Sequence, residues 1–493
     1  MSIMSLSQSL LKSSFILFAS KLLTRGIGLV STLILARLLT PEDYGIVAIA
    51  TVLVFLFDEI SNSGMKEYVI HKSEVDDSVL NTAWTLNLIT KTVVWLLFLI
   101  LIPFITDFYS NPELTNVLFV ISLILPLGAL QNVGIVMYEK ELNYKPIFYL
   151  ELSQKLIAFF FIIGLALWLG NYWAMIIGTV ISYVILVVGS YIVHEYRPKI
   201  YFERLKEQWN FSKWMIPRGF LGFSRAEFDT FLVSKLFDIG SLGGFSVMKN
   251  LTAMVGRDVI LPATQPLLAS FSKAQDDQNR LNYQLTLSLL VTLIISLPIM
   301  SFTWIFHYEI VRILLGEKWV EYSGILQALS ILIGVYAMGG ILGYLLTSLG
   351  RVKHLFYFEL FGLIFTVITL LTISFDDIVE FSFLRSIVAF ILVAVTFVYV
   401  KYVFKFSVGY FMFLTLPVFF ATFIAGAFVQ WIDLGDSMAL IASTFIYGVL
   451  FSCLYLISLL VLLCFYRDKS EIVYLRWVVG QTKDNILKKI RRE

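Results

Sequence analysis

The sequence predicts an all-α polytopic membrane protein of about fourteen transmembrane helices, and three observations lead there. Hydrophobic residues make up 58% of the 493 and charged residues 15%, with a mean hydropathy of +0.84, whereas soluble domains carry about 25% charged residues. The apolar runs are about 20 residues long, enough for an α-helix to cross a hydrocarbon core of roughly 30 Å; barrel strands would be shorter and alternating. Finally, fourteen spans with an internal N-terminus leave 24 Lys and Arg in cytoplasmic segments and four (Arg37, Lys235, Arg312, Lys318) on the other side. That is the asymmetry of the positive-inside rule.

The spans fall near 13–37, 43–63, 81–106, 114–137, 147–169, 172–193, 213–236, 240–267, 282–306, 320–348, 355–374, 379–400, 407–431 and 438–465. The opening stretch lacks a basic n-region, a short apolar core and an A-x-A site, so the first helix is expected to stay in the mature chain. The seventh span, "KWMIPRGFLGFSRAEFDTFLVSKLF", holds Arg218, Arg225, Glu227 and Asp229, each costing about 2.5–3.5 kcal/mol at a helix centre. If it did not cross, fourteen later basic residues would face outward. It therefore crosses, with its charges turned to protein or water.

Between spans six and seven lies the cytoplasmic linker "HEYRPKIYFERLKEQWNFSK", and the longest external connection is "HYEIVRILLGEKW" at 307–319. Trp168, Tyr172, Trp173, Trp304 and Trp431 sit at external turns as an aromatic belt. The tail "IVYLRWVVGQTKDNILKKIRRE" reads as a basic interfacial helix that anchors topology. Cys453 and Cys464, eleven apart on one helix, offer neither a disulfide nor a metal spacing. The four histidines (His71, His194, His307, His354) all fall in or beside loops. A net charge of +2 argues against a polyanion-binding surface, and no nucleic-acid module is recognisable.

The chain repeats itself. At an offset of 198, "ILARLLTPEDYG" lies over "LVSKLFDIGSLG", matching Arg37 with Lys235 and Gly45 with Gly243. At 208, "FYLEL" (148–152) meets "FYFEL" (356–360), the ten extra residues fitting the longer external loop before span ten. Two six-helix lobes of like orientation follow, a parallel repeat of the kind that flanks a transport path. The organisation is an N-lobe with its linker at 1–210, a C-lobe at 211–406, two further spans at 407–466 and a basic cytoplasmic tail at 467–493. Glu151 and Glu359 stand near equivalent helix starts, where an acid suits the macrodipole or serves as a contact between lobes.

Polar residues inside the spans recur at helical spacing. Lys21, Thr24, Arg25 and Gly28 share a face of span one; Arg218, Gly222, Arg225 and Asp229 one of span seven; Lys249, Thr252, Gly256 and Arg257 one of span eight. In span two, Asp58 and Asn62 share a face with Glu59 beside it. The expected cationic cavity comprises Lys21, Arg25, Lys91, Arg218, Arg225, Lys249 and Arg257; Asp58, Glu59, Asp229 and Asp258 are candidates for ion coupling or ion pairing. A surplus of positive charge favours an anionic cargo, and Arg suits phosphate through two parallel hydrogen bonds. No metal triad, nucleophile motif or phosphate-binding Gly loop marks an enzyme, and no cofactor is expected.

The stretches "ILARLLTPEDYGIVAIA", "FLFDEISNSGMKEYVI", "IVRILLGEKW" and "LLTSLGRVKHLFYFEL" make the chain similar to the multidrug/oligosaccharidyl-lipid/polysaccharide superfamily, in its polysaccharide-transporter branch of Wzx-like flippases. The resemblance implies a V-shaped, two-lobed carrier in the bacterial inner membrane, with both termini cytoplasmic. Its implied cargo is an undecaprenyl-diphosphate-linked oligosaccharide for O-antigen, capsule or exopolysaccharide. Membrane lipids, a polysaccharide polymerase and glycosyltransferases are the implied partners. In related lipid II flippases, basic residues on spans one and eight matter; Arg25 and Arg257 stand at the corresponding places, whereas span two carries Asp58 and Glu59 where the relatives have a basic residue. A multidrug or organic-cation antiporter shares the fold but calls for an acidic, aromatic cavity.

Overall fold

A computed structural model describes residues 3–264, 267–432 and 439–474. Among the described residues every regular element is a helix. In chain order these are α1 (Ile3–Leu38), α2 (Pro41–Ile60), α3 (Met65–His71), α4 (Asp77–Tyr109), α5 (Glu113–Ile121), α6 (Ile124–Ala129), α7 (Ile135–Lys140), α8 (Lys145–Leu169), α9 (Trp173–Val193), α10 (Leu205–Leu236) and α11 (Ile239–Ala253). A π-helical segment (Met254–Ile260) follows, then α12 (Leu261–Thr264), α13 (Leu267–Lys273), α14 (Gln278–Ile305), α15 (His307–Leu314), a 3₁₀ turn (Glu317–Tyr322), α16 (Ser323–Leu329) and α17 (Ile331–Ser348). The last four are α18 (Val352–Thr372), α19 (Ile378–Val403), α20 (Val408–Trp431) and α21 (Leu440–Cys464).

Ten helical stretches of the described residues are long and apolar enough to cross a membrane, as a multi-pass membrane protein requires. The expected count of fourteen is not reached on length and apolarity among the described residues. The side chains of 3–19, most of the first span's start, lie outside them, and the seventh span is the charged α10. The fourth, expected as one helix over 114–137, is divided into α5, α6 and α7. Pro126 has no N–H for the carbonyl one turn earlier. Asn132 then turns the chain, its Oδ1 accepting from Gly134 N–H at 2.9 Å and its Nδ2 donating to the Tyr196 carbonyl at 2.7 Å. The eighth is interrupted by the π segment, just before Pro262, which removes a further ladder donor. Part of the expected basic tail, from 475 onward, lies outside the described residues.

The helices gather into two compact units, Met1–Val247 with Leu314–Tyr322, and Met248–Ile313 with Ser323–Glu493. This division falls within α11, whereas the repeat drawn from sequence divides the lobes at 210. In the first unit α8 packs between α1 and α9, and α10 lies against α2, α3 and α4. The linker after α9 runs extended along α4, where Asn81 Oδ1 accepts from Lys199 N–H at 2.6 Å and Thr85 Oγ1 from Tyr201 N–H at 2.9 Å. In the second unit α14 is the centre, with α17 on one side and α20, backed by α21, on the other. Leu281, Leu285, Leu289 and Leu293 face α17, and Leu290 and Leu297 join the α20–α21 core.

The start of α2 is fixed by a capping box. Thr40 N–H donates to Asp43 Oδ2 at 2.9 Å, Asp43 N–H returns to Thr40 Oγ1 at 3.3 Å, and Pro41 supplies the first helical φ. Asp43 Oδ1 also accepts from Tyr172 N–H at 2.9 Å, tying α2 to the start of α9. Beside this cap the repeat becomes physical contact. A Cβ on Gly45 would lie 1.9 Å from the Ile239 carbonyl oxygen, and one on Gly243 would lie 1.8 Å from that of Pro41. Gly45 and Gly243 are partners at the offset of 198, and so are Pro41 and Ile239. Two equivalent helix starts therefore cross reciprocally, each glycine seating the other's backbone. Trp319 closes the same corner: fully buried, it donates its indole N–H to the Ala36 carbonyl at 2.8 Å and meets the Tyr44 ring edge-on at 5.1 Å.

Gly243→Ala forces a methyl group into a carbonyl that cannot rotate away, so its cost lies at or above the upper end of the roughly 1–3 kcal/mol typical of overpacked sites. A large drop in detergent melting temperature and in membrane abundance is expected. Gly164→Ala, where a Cβ meets nothing within 4 Å, leaves both unchanged or improved; equal tolerance of the two variants contradicts the crossing.

Candidate functional site

The intramembrane charges fall into separate local groups. On α2 and α4, Asp58 and Lys91 form an ion pair, with 28% and 12% of their side chains exposed. Two further helices complete its surroundings. Gly128 on α6 leaves room for the Lys91 ammonium, which would stand 3.6 Å from a Cβ there, and Tyr183 on α9 stands at the same place and feels the Asp58 charge. Lys91, expected among the cargo-binding cations, thus has its charge matched by Asp58. The pair cancels, and the positive surplus among the remaining charges is unchanged.

Glu59, the next residue on α2, lies where α10 passes. A Cβ on Gly219 would come within 2.8 Å of Glu59 Oε2, so the carboxylate lies against the bare backbone of α10. Arg218 is on α10 beside that glycine, and its side chain, like that of Asp258, lies outside the described residues. Farther along α10, Asp229 is 2% exposed and its Oδ1 accepts from the Thr230 N–H at 2.8 Å, while Thr230 Oγ1 donates to Glu227 Oε2 at 2.9 Å. Arg225 is exposed on the same helix, and Lys249 on α11 is 8% exposed. Lys21 and Arg25 are both exposed on α1. Beside them, Ser20 Oγ donates to Glu151 Oε2 of α8 at 3.1 Å.

Arg257 has a built setting. It lies in the π segment, whose widened turn exposes its guanidinium. The preceding Gly256 docks that turn on α17, where a Cβ would stand 2.8 Å from the Ile333 carbonyl oxygen and 3.2 Å from Tyr336 Cβ. The guanidinium then lies over the Tyr336 ring, 4.6 Å from its centroid. A ring held against one face steadies the fork by a cation–π contact and leaves the N–H groups at its edge available to an anion. Single π-turns in α-helices are frequent at functional sites. Tyr336 went unremarked in the sequence, because a tyrosine in an apolar helix looks like any core aromatic.

Within each unit, then, the expected residues form a matched pair (Asp58 and Lys91), a buried acid group (Asp229 with Thr230 and Glu227), an exposed basic face on α1, and an Arg–Tyr platform on the π segment. Among the described residues no His, Cys, Asp and Glu cluster could hold a metal ion.

The family model described as "Polysaccharide biosynthesis protein" matches residues 34–324, more than half of the chain. The chain is 25% identical over 347 residues to the lipopolysaccharide biosynthesis protein WzxC of Escherichia coli K12, covering 68% of this chain and 69% of that one. It is 26% identical over 323 residues to the succinoglycan biosynthesis transport protein ExoT of Rhizobium meliloti, spanning 64% of each. Among solved structures, the lipid II flippase MurJ in an inward closed conformation superposes with a TM-score of 0.71 at 18% identity, over 93% of this chain and 99% of that one. An inward-facing MATE family transporter of the MOP superfamily gives 0.57 at 11% identity, over 80% and 98%. The chain therefore shares the fold of these two transporters.

Removing one member of the Asp58–Lys91 pair strands the other in a low-dielectric setting. Lys91→Met is expected to destabilise the protein by on the order of 2 kcal/mol, less than a fully buried pair because Asp58 is partly exposed, and Asp58→Asn in the same chain to recover most of it. Thermal unfolding of the two single variants and the double in detergent reads this; additive losses contradict the pairing.

Proposed function

Because the chain belongs to the polysaccharide biosynthesis protein family, we propose that it is a flippase moving an undecaprenyl-diphosphate-linked oligosaccharide from the inner to the outer leaflet of the bacterial cytoplasmic membrane. The product serves surface polysaccharide synthesis, and both termini lie in the cytoplasm. The names of WzxC, ExoT and MurJ support this reading, and one observation in the chain carries it: Arg257, exposed on a π-turn and braced on Tyr336. A diphosphate is the group that a braced guanidinium in an apolar helix is suited to hold, through charge-assisted paired hydrogen bonds.

In this scheme the cations of α1, α10 and α11 with Arg257 neutralise the diphosphate in turn. The glycan crosses with the diphosphate while the polyprenyl chain remains in lipid. Two six-helix halves, 1–210 and 211–406, expose those cations alternately to the two sides. The work is binding and release without covalent chemistry, so the protein is a carrier and not an enzyme. An organic-cation exporter would need the opposite sign of charge along these helices.

Arg257→Gln and Arg25→Ala are expected to abolish surface polysaccharide at normal membrane abundance. Tyr336→Phe, which keeps the aromatic face, retains most of the output, and Tyr336→Leu lowers it about tenfold, in line with a cation–π contact of up to about 2 kcal/mol when desolvated. Quantifying surface glycan alongside immunoblots of the membrane fraction tests this; wild-type glycan from both arginine variants rejects the assignment.

A further inference from the structure

Lys155 lies on the otherwise apolar α8, and its setting is specific. Helices α1 and α8 pack together, and both are expected to run from the cytoplasmic to the external side. Ser20 and Glu151 mark their shared level through the 3.1 Å hydrogen bond. One turn farther along each helix come Thr24 and Lys155, with Arg25 adjacent, since i and i+4 share a face. The charges of both Arg25 and Glu151 reach Lys155. Lys155, Arg25, Lys21 and Glu151 all keep part of their surface exposed, while the protein around the Lys155 ammonium shields it from water. Among the described residues the Lys155 ammonium makes no hydrogen bond or ion pair.

We infer that Lys155 and Arg25 form a phosphate-binding subsite on the α1–α8 face, with Glu151 as the competing anion that Ser20 holds beside it. Two like charges on adjacent helices repel, and a phosphate between them converts that repulsion into two attractions, strong where the dielectric is low. Lysine acts there as a point charge and arginine as a fork. The subsite exists in one half only: the position equivalent to Lys155, 208 residues on, is Leu363, although Glu359 repeats Glu151. A site without a counterpart gives the path a preferred first contact. This rests on the flippase reading, since the phosphate is taken to be that of the lipid-linked cargo; a phospholipid headgroup offers the same chemistry.

The test uses the purified full-length protein in phosphatidylcholine nanodiscs. Undecaprenyl diphosphate and, separately, phosphatidylglycerol are titrated and bound lipid is read by native mass spectrometry. Lys155→Gln is expected to weaken undecaprenyl diphosphate about tenfold, as loss of one charge-assisted contact would, while Lys155→Arg stays within about twofold of wild type. Glu151→Gln is expected to tighten binding, a gain that misfolding cannot produce. Phosphatidylglycerol retention stays unchanged in all three. Wild-type affinity in Lys155→Gln, or no tightening in Glu151→Gln, overturns the subsite; a loss confined to phosphatidylglycerol overturns its assignment to cargo. Arg257→Gln separates the two levels. If it weakens binding and Lys155→Gln does not, the subsite alone fails; if the wild type itself does not bind undecaprenyl diphosphate, the flippase reading fails.

Discussion

A charge inside hydrocarbon must be paired, wetted or turned to protein, and most of this molecule's polar architecture is a set of answers to that constraint. Asp58 and Lys91 answer it by pairing across α2 and α4, with Gly128 making the space. Asp229 answers it by burial against the Thr230 N–H. Arg257 answers it differently, by leaning on an aromatic face while its edge stays open. The distinction has functional weight: a matched pair holds helices together, while Arg257 keeps the edge of its guanidinium exposed beside the Tyr336 ring.

Backbone proximity is the second organising theme. Gly45 and Gly243 let two repeat-related helix starts cross at a distance no side chain would permit, and Gly256 does the same for the π-turn against α17. In each case a missing Cβ fixes the approach of a helix, and that approach sets where neighbouring polar groups stand. The π-turn before Pro262 adds a local widening that a regular helix would not supply, and Arg257 sits on it. Packing, more than any single hydrogen bond, positions this arginine.

The helical class, the membrane setting and the duplicated pattern were legible because they rest on composition and periodicity, which the chain displays along its whole length. Interruptions were less so. Pro126 and Asn132 were visible, yet the apolar run around them looks continuous until their backbone consequences are traced. The matching of Lys91 with Asp58 was hidden because 33 residues and a loop separate them, and nothing in either helix alone points to the other. Lys155 carried a signal that could have been used, namely Glu151 one turn earlier on the same face. The helices of the first unit also include α10, a grouping by contact that repeat matching along the sequence does not address.

The most direct test of cationic cargo recognition is leaflet transfer itself. Proteoliposomes containing the purified protein and an undecaprenyl-diphosphate-linked oligosaccharide are probed from outside with a membrane-impermeant glycan-modifying enzyme, and the rate at which inner-leaflet substrate becomes accessible is followed. Faster transfer than in protein-free liposomes, competed by undecaprenyl diphosphate and not by a neutral polyprenyl glycoside, is the predicted result. Transfer equal to that of empty liposomes, or competed equally by the neutral lipid, would contradict it.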